Sequence, residues 1–280
     1  MSTYKIAVIV SLHIDLRNPF PGYNFPSLES ITPYLEPVGE GRSGKWARET
    51  ATRLKCKVCV GYPEIEGEKH YNSLLVVDEN GKILVNYRKS FLYYTDVSWA
   101  SEGDPERGFC TLTLGRNNLA TSFGVCMDIN PYRFEAPFTA WEFANRVLDS
   151  RSELVIVSMA WLTMLSREEL DMLSNKPDMD TFQYWIRRFW PLLEKKMNNK
   201  RVIIVFSNRA GEEAGGSEPT PIARYAGTSA IIAITQKPDE GQASFDVKIL
   251  CWDIMGATQE GICFADMLAE PRLVFGLTSN

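Results

Sequence analysis

Among the residues able to do covalent chemistry, Cys126 has the most suggestive setting. In Thr121-Ser-Phe-Gly-Val-Cys-Met-Asp-Ile-Asn-Pro-Tyr132 a short β-rich run delivers one thiol to a turn crowded with polar groups. The chain has six cysteines and only two histidines, His13 and His70, so the imidazole of a Cys-His pair is not the expected activator. A thiol of ordinary pKa about 8.5 becomes a nucleophile when a nearby positive charge or base favours the thiolate. Lys89, in Asn86-Tyr-Arg-Lys-Ser-Phe-Leu92, stands where a strand runs into a loop. An ammonium there can stabilise both a thiolate and a tetrahedral oxyanion. Cys56 and Cys59 form a Cys-x-x-Cys, but Lys55-Cys-Lys-Val-Cys-Val-Gly61 reads as a strand, and no second Cys or His pair completes a zinc set. No metal or cofactor is expected.

The elements that must position these groups are short strands separated by helices. Ile6 to Val10 is a β-branched run bounded by polar residues, and Gly44 to Leu54 carries Trp46, Ala47, Thr50 and Leu54 at helical spacing. Val58 to Gly61, Tyr71 to Asp78 and Lys82 to Tyr87 read as three strands, the last two joined by the hairpin signal Asp78-Glu-Asn-Gly81. Leu119 to Val125 leads into the cysteine turn. Phe138 to Leu148 has a helical apolar stripe, Glu153 to Ser158 is a buried strand, and Thr181 to Met197 reads as one long amphipathic helix. Arg201 to Phe206, Ser229 to Thr235 and Phe245 to Cys251 add strands. The mixture predicts an α/β or α+β layered domain with helices covering the sheets.

At 280 residues, 45% hydrophobic and 23% charged, the chain can bury a substantial core, and no Gly/Ser/Pro-rich linker divides it, so residues 1–280 read as one domain. A net charge of −5 with no basic stripe argues against nucleic acid as a partner. The apolar runs fall far below the roughly 20 residues that span a bilayer, so no membrane partner is expected. The apolar stretch after Lys5 is short, and Asp15 and Arg17 interrupt it before any cleavage site of small residues, so it is not expected to be a secretory leader. The cysteines are then expected to be reduced and the chain intracellular, in cytoplasm or nucleus. Oligomeric state is not legible.

Several ordered segments resemble a known family: Gly22-Tyr-Asn-Phe-Pro-Ser-Leu-Glu29, Gly61-Tyr-Pro-Glu64, Tyr87-Arg-Lys-Ser-Phe-Leu-Tyr-Tyr-Thr-Asp96 and Gly124-Val-Cys-Met-Asp-Ile-Asn-Pro-Tyr-Arg-Phe-Glu-Ala-Pro-Phe138. They are similar to the carbon-nitrogen hydrolase (nitrilase) superfamily, and within it to the branch of fungal protein N-terminal amidases. Ser158-Met-Ala-Trp161, Ser207-Asn-Arg-Ala-Gly-Glu212 and Ala226-Gly-Thr-Ser229 extend the likeness to about Leu277. The resemblance implies a four-layer α-β-β-α sandwich and a Glu-Lys-Cys set, with Cys126 the nucleophile and Lys89 its lysine. It implies removal of ammonia from an N-terminal Asn or Gln of a protein or peptide, leaving Asp or Glu and feeding N-terminus-dependent degradation. The oxyanion would be held by Lys89 and the backbone N–H of Met127, and the thioester hydrolysed by water. A small-molecule ω-amidase or aliphatic amidase is the near alternative.

The chain departs from the family at its glutamate. Family members carry a Pro-Glu pair just before the Gly-Tyr-Asn-Phe loop, whereas here Asp15-Leu-Arg-Asn-Pro-Phe-Pro-Gly22 aligns Arg17 with the glutamate. Only about a dozen residues separate Val10 from Gly22, where a strand-helix-strand unit takes roughly 30. That unit reads as truncated, and residues 1–21 as atypical or incomplete, as a mistaken exon choice would leave them. A protein without its base would be catalytically impaired. Glu64, after Gly-Tyr-Pro at a strand end, is the best-placed substitute base, with Asp15 nearest the expected position. A second family glutamate, which orients the lysine, aligns with Val97, leaving Asp96 and Glu102 as substitutes. Asp128 is expected to orient the cysteine turn or pair with Arg133, and either Asp128 or Glu102 to receive a substrate α-ammonium, which needs a counter-charge. Trp161 and Trp99 either wall the pocket or pack in the core. Trp46, Trp141, Trp185, Trp190 and Trp252 read as packing, and Ser207 to Arg209 and Ala226 to Ser229 as structural loops.

Overall fold

The computed structural model describes residues 5–10, 22–104, 109–114, 119–173, 175–194, 201–214, 222–237, 244–249, 254–266 and 273–275. The chain begins β1 (Lys5–Val10), α1 (Leu28–Ile31), α2 (Arg42–Leu54), β2 (Val58–Glu66), β3 (Lys69–Val77), β4 (Ile83–Arg88) and α3 (Tyr94–Val97). It continues β5 (Thr111–Leu114), β6 (Leu119–Val125), α4 (Glu142–Asp149), β7 (Leu154–Met159), α5 (Arg167–Met172), α6 (Met179–Arg188), α7 (Trp190–Glu194) and β8 (Arg201–Asn208). Then come β9 (Glu212–Ala214), β10 (Ile222–Arg224), β11 (Ala230–Lys237), β12 (Ser244–Ile249), β13 (Gly261–Asp266) and β14 (Leu273–Phe275). Contacts divide these elements into two compact units.

One unit comprises His13–Cys110 with Glu213–Ala223. Its centre is the antiparallel sheet β2-β3-β4. The β3-β4 hairpin turns where expected: the Asp78 side chain accepts from the Asn80 and Lys82 N–H groups, each at 2.9 Å, and Gly81 takes φ 79°. Helix α2 lays Ala47 and Ala51 against Val60, Tyr62, Leu75 and Val77, small residues on the helix letting it approach large ones on the sheet. The buried Glu36 carboxylate accepts the Ser43 N–H at 3.0 and 3.1 Å, satisfying a donor at the start of α2. Lys55, in the left-handed conformation, ends the helix.

The other unit comprises Met1–Leu12, Thr111–Glu212 and Arg224–Asn280. It holds a seven-stranded sheet of order β14-β12-β11-β8-β7-β6-β5, in which β6, β7 and β8 run parallel. Strand β1 pairs separately with β13. Gly124, Val157 and Phe206 lie side by side in register across the parallel strands, so they share a face. Phe143 of α4 sits on Gly124 so closely that a Cβ there would come within 2.8 Å of its ring. Over Phe206 lie Trp185, Phe189 and Phe182 of the α6 region, at ring separations of 5.2, 5.9 and 6.4 Å. Strands whose faces are covered by helices must be apolar throughout, as Val202 to Phe206 is.

Two helices depart from the sequence expectation. The stripe over Phe138 to Leu148 breaks at Trp141, whose φ of 42° separates a 3₁₀ turn from α4. The single helix expected over Thr181 to Met197 ends at Arg188 and resumes at Trp190. Pro191 explains the break, because it lacks an N–H and its ring clashes with the carbonyl four residues back. Strands β5, β9, β10, β13 and β14 were not anticipated. The expected truncation before Gly22, with Asp15 and Arg17, falls outside the described residues, as do residues 195–197, 250–253 and thus Trp252. No helix among the described residues is long and apolar enough to cross a membrane.

Candidate active site

Cys126 follows directly from β6, at the carboxyl end of the parallel strands, where α/β sheets place their ligand sites. Its φ is 44°, a left-handed conformation that costs a non-glycine residue roughly 1 to 2 kcal/mol. Cys126–Ile129 form a 3₁₀ turn in which every residue is buried. Asp128 closes it: fully buried, it accepts the Val125 N–H at 2.7 Å. This is the turn-orienting role expected of it. Asn130 N–H adds a bond to the Met127 carbonyl at 2.8 Å.

Helix α6 grips the segment that follows. Arg188 Nε donates to the Ile129 carbonyl at 2.7 Å, and its Nη1 donates to the Phe138 carbonyl. One turn earlier on the helix, the Tyr184 hydroxyl donates to Asn130 Oδ1 at 2.8 Å. Burial drives the Arg188 pKa down from its ordinary value, and the Tyr184 pKa up. Trp161, half-buried after β7, places its ring 5.6 Å from Tyr184 and 5.9 Å from Trp185. Its N–H donates to Asn208 Oδ1 at 2.7 Å, while Asn208 Nδ2 donates to the Gly227 carbonyl at 2.9 Å. The loops at Ser207 to Arg209 and Ala226 to Ser229 thus brace the strand ends.

Within its own unit the lysine has buried polar neighbours. Lys89 is fully buried at the end of β4, and its Nζ lies 2.5 Å from Asp96 Oδ2, itself fully buried. Asp96 further accepts from the Tyr23 hydroxyl at 3.2 Å, Asn72 Nδ2 at 3.1 Å and the Tyr93 N–H at 2.9 Å. Of the three positions weighed for orienting the lysine, Asp96 pairs with it; Val97 and Glu102 are exposed. The backbone at Lys89 is held on both sides, its N–H donating to Asn72 O and its carbonyl accepting from Gly103 N–H, each at 2.8 Å. Gly103 must be glycine, since a Cβ would approach the Arg88 carbonyl to 2.5 Å. Trp99 is buried in the turn after Asp96, donating its N–H to the Asp96 carbonyl at 3.0 Å.

Sequence reasoning passed over the anchor of the Gly22-Tyr-Asn-Phe loop. Glu213, buried on β9, accepts the Tyr23 N–H at 2.9 Å and the Asn24 N–H at 3.1 Å. A carboxylate therefore holds the backbone of the residue whose hydroxyl reaches Asp96.

Glu64, weighed as a substitute base, anchors its sheet. It is fully buried, its Oε1 accepts from Arg88 Nε at 3.0 Å and from Arg88 Nη2, and its Oε2 accepts from Ser73 at 2.5 Å and Asn86 at 2.8 Å. Four donors fill the roughly four lone-pair directions of a carboxylate, leaving none for a substrate proton. Arg88 is held charged by this pairing, its pKa raised. The Cys59 thiol is pushed up to about 12 by burial, which makes it a poor nucleophile.

The chain is similar to known proteins over much of its length. Residues 20–127 match the carbon-nitrogen hydrolase family. The chain is 33% identical over 236 residues to a protein N-terminal amidase of Schizosaccharomyces pombe, covering 77% of this chain and 76% of that protein. It is 37% identical over 170 residues to a protein N-terminal amidase of Saccharomyces cerevisiae, 55% of this chain but only 37% of that protein. A crystal structure of N-terminal amidase with an Asn-Glu-Ala peptide superimposes with a TM-score of 0.71 at 23% identity, covering 92% of this chain and 87% of that one. That likeness is one of fold, the α/β nitrilase type.

Proposed function

Because the chain belongs to the carbon-nitrogen hydrolase family, we propose that it removes ammonia from the side-chain amide of an N-terminal Asn or Gln in proteins and peptides. The observation that carries this reading is the 33% identity to a protein N-terminal amidase over 77% of the chain, beside a thiol, Cys126, held in a left-handed turn at a strand end. In this reading residues 1–280 act as one carbon-nitrogen hydrolase domain. The Cys126 thiolate attacks the amide carbon, and the oxyanion is stabilised by the Lys89 ammonium and the Met127 N–H. Collapse expels ammonia and leaves a thioester on Cys126; water then attacks it, releasing the acid and regenerating the thiol. The product bears Asp or Glu and marks the protein for N-terminus-dependent degradation in the cytoplasm. Arg17 stands where the family has its glutamate, and lack of a general base typically lowers rates by about 10² to 10⁴, so turnover is expected to be slow.

Incubation with peptides beginning in Asn or Gln should release ammonia with the roughly one-dalton gain of an amide becoming an acid, and Cys126→Ala should abolish it. Equal rates for the two proteins would remove Cys126 as nucleophile. An N-acetylated Asn-peptide should be refused; equal turnover would reassign the chain to a general or small-molecule amidase. Asp128→Lys and Glu102→Lys test the counter-charge for the α-ammonium: the residue that serves should raise KM about tenfold or more, and an unchanged KM excludes it.

A further inference from the structure

Cys126 does not stand alone in its strain. Among the described residues eight non-glycine positions have positive φ, and four of them fall between Cys126 and Trp141: Cys126 at 44°, Arg133 at 55°, Phe134 at 57° and Trp141 at 42°. Such clustering persists only where surrounding structure over-determines it. Arg188 supplies that determination. The two carbonyls its guanidinium ties, those of Ile129 and Phe138, bracket the loop between them. Its Cζ also lies 4.6 Å from the Phe138 ring centroid, and its Nη2 lies 3.8 Å from Glu142, whose other oxygen accepts the Tyr132 N–H at 3.1 Å. Tyr184 adds its bond to Asn130 and an edge contact with Phe138 at 6.0 Å.

We propose that Arg188, with Tyr184, is a positioning residue of the reaction: by clamping both ends of the loop after the nucleophile it holds Cys126 and Met127 in their reactive conformation. Arg188 is 1% exposed, so removing it leaves the Ile129 and Phe138 carbonyls short of a donor and should cost stability as well as position. A rigid planar fork with five donors holds two carbonyls in a fixed geometry, which a methionine cannot do and a lysine, with three donors on a flexible stem, does less firmly. The inference rests on the assignment of Cys126 as nucleophile, not on the identity of the substrate.

The test uses the full chain with Arg188→Met, Arg188→Lys and Tyr184→Phe. Alkylation of Cys126 by iodoacetamide, followed on its own peptide by mass spectrometry, reports the thiol without any substrate. Arg188→Met should slow that alkylation about tenfold and move its pH midpoint. It should also lower kcat on an Asn-peptide about 10²-fold per folded molecule, as small misplacements do, with KM within about threefold and a lowered thermal midpoint. Arg188→Lys and Tyr184→Phe should give smaller losses of the same kind, and they decide the matter if Arg188→Met fails to fold. Alkylation and kcat unchanged in folded variants would overturn the proposal, as would losses that merely track the unfolded fraction. If the parent turns over neither Asn- nor Gln-peptides while Arg188→Met still slows Cys126 alkylation, the substrate reading falls and the positioning role stands.

Discussion

Lys89 and Asp96 are both fully withdrawn from water, and a pair so placed is strong only while it is complete. Removing one partner of a buried ion pair destabilises by about 3 to 5 kcal/mol, whereas replacing both with apolar residues is often neutral. Asp96→Asn should therefore lower stability by about 3 kcal/mol and kcat by about 10²-fold, because the ammonium loses the charge that aims it. The double variant Lys89→Met with Asp96→Leu should recover much of the stability and none of the activity. Denaturant midpoints and ammonia release measure the two effects separately. A double variant that still released ammonia at the parent rate would remove the pair from the chemistry. Part of this was legible in sequence. Cys126 was marked by its residue type and turn, whereas Lys89 came forward only through the resemblance of its motif to the family. The bond from Lys89 to Asp96 was not legible, because it depends on a four-residue helix and a glycine-dependent close approach that no periodicity marks.

Elements carry the next part of the argument, because a side chain's role follows from what its strand or helix packs against. Gly-Tyr-Pro-Glu64 reads like a strand end presenting a carboxylate, yet β2 runs on to Glu66 and turns Glu64 inward against Ser73 of β3 and Asn86 and Arg88 of β4. Register with neighbouring strands decided this, and register is a long-range property. Glu64→Gln should destabilise the chain by about 2 kcal/mol, since an amide NH₂ would face the Arg88 donors, while kcat per folded molecule stays within about threefold. A kcat loss of about 10²-fold or more at unchanged stability would restore Glu64 as a base. The strands flanking the hairpin, the helix over Ala47 and the apolar run of β8 were legible, since each has a local period and a local stop signal. The clamp on α6 was less so: Arg188 breaks an apolar face shared with Trp185 and Phe189, and a charge at such a position was the one available sign.

For the molecule as a whole, the likeness to a protein N-terminal amidase spans 77% of the chain, and the resemblance puts Arg17 where the family carries its general-base glutamate. In the proposed reaction Cys126 supplies the nucleophile and Lys89, paired with Asp96, the ammonium that steadies the tetrahedral adduct. None of these moves the protons that must leave the thiol, reach the departing ammonia and later leave water. A carboxylate restored at the aligned position should supply that step, so Arg17→Glu should raise kcat at least about tenfold while KM stays within about threefold. The gain should vanish in Cys126→Ala, because a base without a nucleophile has no proton to take. Steady-state ammonia release on an Asn-peptide, with free and acetylated amino termini compared in parallel, measures it. If Arg17→Glu leaves kcat unchanged, the chain draws its base from another residue or from water, and the gap in the alignment is no gap in the chemistry. If kcat rises, the slow turnover of the parent follows from one side chain, and the remaining machinery is competent as it stands.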